Sequence, residues 1–228
     1  GKHIFMEKPV GTDGPGILKV LEAAKEADAK KLKVVVGLQR HYQAVYQETL
    51  ARIREGMIGD IVSAQCYWNG GGVWVRERRP GQTEMEYQVM NWYYFNWLCG
   101  DHINEQHVHN IDVVNWFKDG HPVSAQGLGG RQVRTDKKFG QIFDHHYVEF
   151  KYADGSICNS QCRHIQGCWN QVSESFQGTK GRAAIGNITD LAGQQLWRHR
   201  GRNDPNPYQV EHDELYRHIR NDIPINNA

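Results

Sequence analysis

The chain has 228 residues, long for one small domain and short for two full ones, so one domain plus part of another is the expected organisation. Its 39% hydrophobic and 11% aromatic content excludes a disordered or collagen-like polymer. With 27 Lys+Arg against 26 Asp+Glu, the formal charge of +1 gives no global field to draw nucleic acid or an anionic membrane, and neither is expected as a partner.

The first apolar run, Ile4-Phe5-Met6, reads as the end of a buried strand stopped by Glu7-Lys8-Pro9. Gly11, Gly14, Pro15 and Gly16 make a loop. A helix follows over about 15–29 with Ile17, Leu21 and Ala24 on one apolar face. Residues 32–38 are nearly continuous and β-branched, as in a strand of a parallel sheet covered on both faces. Strand, helix and strand together make a βαβ unit.

A second amphipathic helix spans about 42–55, presents Val45, Thr49 and Ile53, ends at Gly56 and hands over to a strand at 61–68. Gly70-Gly71-Gly72 and the charged stretch 76–81 mark a long loop. The aromatic cluster Trp92, Tyr93, Tyr94, Phe95 and Trp97 suits core or interface packing, with sugar stacking as the other reading. A third helix is expected over 103–117, then strands at 123–133, 143–152, 156–163, 170–177 and 182–187. Asp154-Gly155 predicts a type I′ hairpin turn. The expected fold is the tail of a parallel α/β layer followed by an α+β domain with a large, mainly antiparallel open sheet that leaves one face for a ligand or partner.

Cys66, Cys99, Cys158, Cys162 and Cys168 are odd in number and include no C-x-x-C pair, against a disulfide framework or a zinc knuckle. Cys158 and Cys162 fall on one strand face and suit core packing. No stretch approaches the roughly 20 apolar residues of a membrane span. The chain opens at Gly1 without an initiator Met and closes on Asn226-Asn227-Ala228 in an unfinished segment. Both ends therefore read as cut, and the compartment is left open, cytoplasmic or exported.

Several segments carry a family likeness in the right order: residues 1–9 (GKHIFMEKP), 36–42 (VGLQRHY), 58–62 (IGDIV), His109-Asn110-Ile111-Asp112, Asp154-Gly155-Ser156 and 177–181 (QGTKG). Together they resemble the Gfo/Idh/MocA family of NAD(P)-dependent oxidoreductases. The resemblance implies that residues 1–41 are the C-terminal part of a dinucleotide-binding Rossmann domain. Residues 42–228 would form a substrate-binding and oligomerisation domain, truncated at its C-terminus, that pairs with itself through the open sheet. It also implies NAD or NADP as cofactor and a carbohydrate-like substrate. The glycine fingerprint is absent; Gly127, Gly129 and Gly130 come closest, with the wrong spacing. On the order of 90 to 120 residues are expected upstream, at roughly 30 per βαβ unit.

Residues 101–112 pack three histidines and three carboxylates into one helical stretch, where positions three or four apart share a face. That spacing groups His102, Glu105, His109 and Asp112 and turns His107 elsewhere. A histidine can take the hydroxyl proton that must leave when hydride is removed from a secondary alcohol. By the resemblance His109 is the base, Glu105 stands where the family has an Asp, and Asp112 completes the motif on the substrate side. Glu7, Lys8 and Pro9 would touch the cofactor, with Lys8 stabilising charge on the reacting oxygen. Arg40, Arg163 and His164 are expected to bind substrate oxygens, and only one of His145 and His146 can face the same cleft. Redox-neutral glycoside cleavage or epimerisation starts with the same oxidation. A metal-dependent hydrolase using His102, Glu105 and His109, although no metal site is expected, and an inactive interaction module are the other readings.

Overall fold

A computed structural model describes residues 1–228. In chain order the elements are β1 (Ile4–Met6), α1 (Gly14–Ala29), β2 (Val34–Val36), α2 (Ala44–Arg54), β3 (Ile61–Gly70), α3 (Glu84–Met90), α4 (Asn96–Cys99), α5 (Asp101–Glu105) and α6 (Val108–Lys118). Then come β4 (Ser124–Gly130), β5 (His145–Lys151), β6 (Ile157–His164), β7 (Gln171–Gly178), β8 (Gly181–Ala184), β9 (Asn187–Asp190), β10 (Gln195–Arg198) and α7 (Pro207–Arg220). No helix is long and apolar enough to cross a membrane. The chain divides into two compact units, Gly1–Gln47 with Arg200–Ala228, and Glu48–His199.

In the first unit β1 and β2 pair in parallel, joined by α1. The helix starts at Asp13, whose Oδ1 accepts from the Gly16 amide at 2.6 Å, and Pro15 lies in the first turn where its missing N–H costs nothing. Of the apolar face expected on α1, Ile17 and Ala24 are half-buried, but Leu21 is 43% exposed. All three valines of β2 are buried. The free edge of β2 is closed by the end of the chain: the Val34 amide donates to the Ile225 carbonyl at 3.0 Å and the Val36 amide to Asn227 Oδ1 at 2.8 Å. Lys33, 2% exposed, is held by Asp222 at 2.8 Å. α7 buries Leu215 and Glu211, and His212 packs on Phe5 with ring centroids 4.3 Å apart. Sequence patterning draws the boundary at 41/42 and leaves the tail with the second domain. In the structure residues 200–228 return to the first unit, because buried strand amides on an open edge require acceptors.

The second unit is an eight-stranded sheet in the order β10-β9-β8-β7-β3-β6-β5-β4. All neighbours are antiparallel except β3 and β6. α5 and α6 lie against one face, α5 on β6 and α6 on β3 and β7. Beneath them alternate residues are buried: Ala64 and Cys66 on β3, Cys158, Ser160, Cys162 and His164 on β6, Glu174 and Phe176 on β7. Phe176 stacks on Phe117 of α6 at 4.8 Å. The opposite face carries Gln65, Tyr67, Tyr147, Gln161 and Ser173, with Leu128 79% exposed beside them.

Three local expectations change. The helix expected over 103–117 is two helices: the His102 carbonyl accepts from both Gln106 and His107, and α6 begins afresh at Val108. The 154–155 turn is not type I′, because only Gly155 has positive φ (+84°). Instead the Tyr152 amide donates to Ser156 O and the Gly155 amide to Tyr152 O, a three-residue loop with glycine in the left-handed position. The aromatic cluster divides: Tyr93, Tyr94 and Phe95 join Tyr87, Cys99 and Ile142 in a core, while Trp92 and Trp97 are 39% and 51% exposed.

Gly140 follows a one-turn 3₁₀ segment at φ +58°, and a Cβ there would lie 2.0 Å from the Tyr94 carbonyl oxygen. Backbone cannot yield as a side-chain tip can. Gly140→Ala is expected to destabilise the second unit by about 3 kcal/mol or more. Denaturant titration checks this; a midpoint equal to that of the parent chain would show that the segment relaxes freely.

Candidate functional site

In the first unit Glu7-Lys8-Pro9 follows β1 at its carboxyl end, with a cis bond between Lys8 and Pro9. Glu7 is turned across β2: an added Cβ on Gly37 would lie 2.3 Å from its Oε2, so only glycine leaves that space. Beneath it is Glu211 of α7, 2% exposed. Burial first, and the Glu7 charge second, push the Glu211 carboxyl up to about 7. Sequence reasoning missed this pair, since 204 residues separate the two positions. Arg40 does not stand open to a substrate in this unit; it is buried, with its guanidinium 5.7 Å from the Tyr46 ring.

A dinucleotide needs a cradle for its pyrophosphate, usually the N-terminus of the helix after the strand. The N-terminus of α1 is already capped by the Asp13 carboxylate, so a phosphate there would meet a like charge in place of a free amide. The start of α1 is therefore no cradle for a phosphate.

In the second unit the break between α5 and α6 sets the geometry. Glu105 closes α5 and His109 sits on the first turn of α6; both are 6% exposed. His109 lies nearly parallel to the Trp68 ring of β3, centroids 6.3 Å apart. Asp112 is half-buried on the flank of α6. The spacing argument turns His107 away from the cluster, but the restart of the helix drives it into the sheet, where Nε2 is 2.8 Å from Ser160 Oγ. Asn110, fully buried, donates to Glu174 Oε1 at 2.5 Å, a pairing with no signal in the sequence.

The expectation that Arg163 and His164 share a cleft fails on strand geometry, since neighbours on β6 point to opposite faces. His164 is buried on the helix side, and Arg163 lies on the outer face, reaching the Trp169 carbonyl. His164 stacks on His102 with centroids 3.6 Å apart, and its Nε2 is 3.4 Å from Tyr93 Oη. Burial, then the Arg134 cation, holds His164 down at about 3. Burial, then His164, keeps His102 well below the usual imidazole range. Both rings are therefore neutral at physiological pH. Burial, then Glu105, pushes the Tyr93 hydroxyl far up, so it stays a donor.

His102, Glu105 and His109 do not converge as a metal set. The donor atoms that do are those of His102, His146 and Cys162, all within 4.8 Å of one another. His146 and Cys162 face each other across β5 and β6 on the inner side, which leaves His145 outside, paired with Asp144 at 2.7 Å.

Residues 46–184 match the family model described as the GFO/IDH/MocA C-terminal domain. Inositol 2-dehydrogenase 3 of Saccharopolyspora erythraea is 31% identical over 156 residues, 68% of this chain and 39% of that protein. The 2,7-anhydro-N-acetylneuraminate hydratase of Escherichia coli is 23% identical over 184 residues, 81% of this chain and 45% of that protein. The solved aldose-aldose oxidoreductase of Caulobacter crescentus superposes with a TM-score of 0.73 at 18% identity, over 96% of this chain and 62% of that one. The chain thus spans about two fifths of the length of the curated relatives it matches.

Glu211 yields a pH test. A carboxyl raised in the folded state binds its proton more tightly there than in the unfolded chain, so stability falls as pH rises through the window from about 4.5 to about 7. Glu211→Gln should raise the stability of the protein at pH 8, by on the order of 1 kcal/mol or more, and leave it nearly unchanged at pH 4.5. Thermal melts at the two pH values check this, and an equal effect at both would place the charge elsewhere.

Proposed function

The chain belongs to the Gfo/Idh/MocA family, and on that footing we propose that it is part of a nicotinamide-dependent oxidoreductase acting on a hydroxyl of a sugar, polyol or similar polyhydroxy compound. The observation that carries the reading is His109, buried on the first turn of α6 over Trp68 and inside the segment that the family model covers. The named activity of the Saccharopolyspora relative, inositol 2-dehydrogenase, supports the substrate class.

NAD or NADP, when bound, supplies the hydride acceptor. The work of this chain's residues is with the proton and the oxygen. In the second unit a ring nitrogen of His109 accepts the hydroxyl proton, and Glu105, four residues before it, is the positioning residue that favours the charged imidazolium. Asp112, half-buried on the flank of α6, binds a substrate hydroxyl. In the first unit Lys8 donates a hydrogen bond to oxygen as negative charge grows on it. Glu7 and Pro9 line the cofactor beside it. The pyrophosphate is held by residues outside 1–228. Copies of the chain associate through the sheet face that carries Tyr147 and Leu128.

The hydratase among the relatives supports a second reading, in which the same first oxidation is reversed later and no net reduction of cofactor results. Accumulation of reduced nicotinamide with a polyol substrate separates the two.

In the complete enzyme Lys8→Ala should lower turnover by roughly 10²-fold with cofactor affinity little changed, and His109→Asn should remove most activity. Glu105→Gln should cost less and move the acidic limb of the pH–rate profile to lower pH, because the imidazolium loses its neighbouring charge. Glu105→Asp should restore the profile. Steady-state kinetics across pH decide this: an active His109→Asn enzyme removes the histidine from the mechanism, and an unmoved acidic limb removes Glu105.

A further inference from the structure

We propose that His102, His146 and Cys162 bind a zinc ion in the second unit, with α5, β5 and β6 each supplying one ligand and a water the fourth. The three donor atoms already lie within 4.8 Å of one another. In a tetrahedral site they would stand about 3.5 Å apart, given bonds of about 2.3 Å to sulfur and about 2.0 Å to nitrogen. Cys162 Sγ and His146 Nδ1 are at that spacing now, 3.5 Å, because the two residues are direct partners in the β5–β6 ladder. The site draws on none of the residues assigned to proton or hydride transfer.

Two further observations point to a ligand there. His102 is fully buried, yet neither of its ring nitrogens has a hydrogen-bond partner. Buried polar atoms are nearly always satisfied, and a metal bond would satisfy one of these. The other observation is Asp101. Its Oδ1 lies 3.7 Å from His146 Nε2, the nitrogen on the far side of the ring from Cys162. A carboxylate behind a ligating imidazole fixes the ring's orientation and raises its basicity. Asp101 is itself fixed, accepting from the His102 amide at 2.6 Å and the Phe143 amide at 2.9 Å, and it holds φ at +72°, a strained value for any residue but glycine.

Charge and chemistry select the ion. Two neutral imidazoles, one thiolate and the Asp101 carboxylate neutralise a divalent cation, whereas a hard oxygen-seeking ion would find no oxygen ligand among the three donors. On binding, the Cys162 S–H bond breaks as the S–Zn bond forms, and the proton leaves to solvent. His146 gives the entry path, its side chain being 12% exposed.

The test uses the full-length protein, stripped with chelator under reducing conditions and titrated with Zn²⁺ and with Co²⁺. The expected result is a single metal ion bound per chain, release of a proton, and a thiolate-to-cobalt charge-transfer band in the near ultraviolet. Cys162→Ser should abolish the band and weaken zinc by roughly 10²-fold or more, while Asp101→Asn should keep the band and weaken zinc by about 10- to 100-fold. Cys158→Ser, on the same strand face but beside Cys66, should change neither. Should Cys162→Ser fail to fold, His146→Ala at the partly exposed ligand is expected to lower zinc affinity by the same order. Failure of the parent protein to bind zinc or cobalt stoichiometrically at neutral pH overturns the proposal. So does a cobalt band that persists in Cys162→Ser, or zinc affinity unchanged in His146→Ala.

Discussion

Two short helices laid across the middle of a wide sheet take everything between them out of water, and in this protein much of what lies between them is polar. Cys66, Ser160, His164 and Glu174 all rise from the strands into that layer, and His102, Glu105, His107, His109 and Asn110 descend into it. A dry layer of that composition persists only if each group stays uncharged or finds a partner. The pairings of His107 with Ser160 and of Asn110 with Glu174 are answers to that constraint, and so is the depression of the His102 and His164 titrations. The break between α5 and α6 belongs to the same logic. A continuous helix would aim His102, Glu105, His109 and Asp112 along one stripe, whereas restarting at Val108 sends His107 into the layer as well.

The first unit meets the opposite problem. Its valine strand is buried on three counts, by β1, by the helices and by the closing tail, yet two carboxylates, Glu7 and Glu211, converge beside it. Retaining one as a neutral acid near physiological pH places a weakly held proton a short reach from the segment that carries Lys8.

Much of this was legible in order and little of it in depth. The β-branched run at 34–36 and the alternation along 157–164 identify their strands because periodicity is a property of the segment itself. The same alternation that separates His145 from His146 on β5 separates Arg163 from His164 one strand over. Other features were beyond a linear reading. Nothing in Cys162 announces His146, since their pairing depends on the register of β5 against β6, and nothing in Val34 announces Asn226. The break at residues 106–107 is likewise silent, because no proline or glycine marks it; it is imposed by what the sheet below can accept.

The return of the tail to β2 has a consequence in time. The second unit is one uninterrupted stretch, Glu48–His199, so all its strands have left the ribosome before the last helix is made. The first unit is split, and the partner that closes the edge of Val34 is encoded 192 positions later, at Asn226. During synthesis β1, α1 and β2 precede the whole second unit, yet the residues that close this edge of β2, 225–227, follow it. That interval is when a nascent chain of this kind is most exposed to pairing with the wrong neighbour, and it spans the synthesis of the entire second unit.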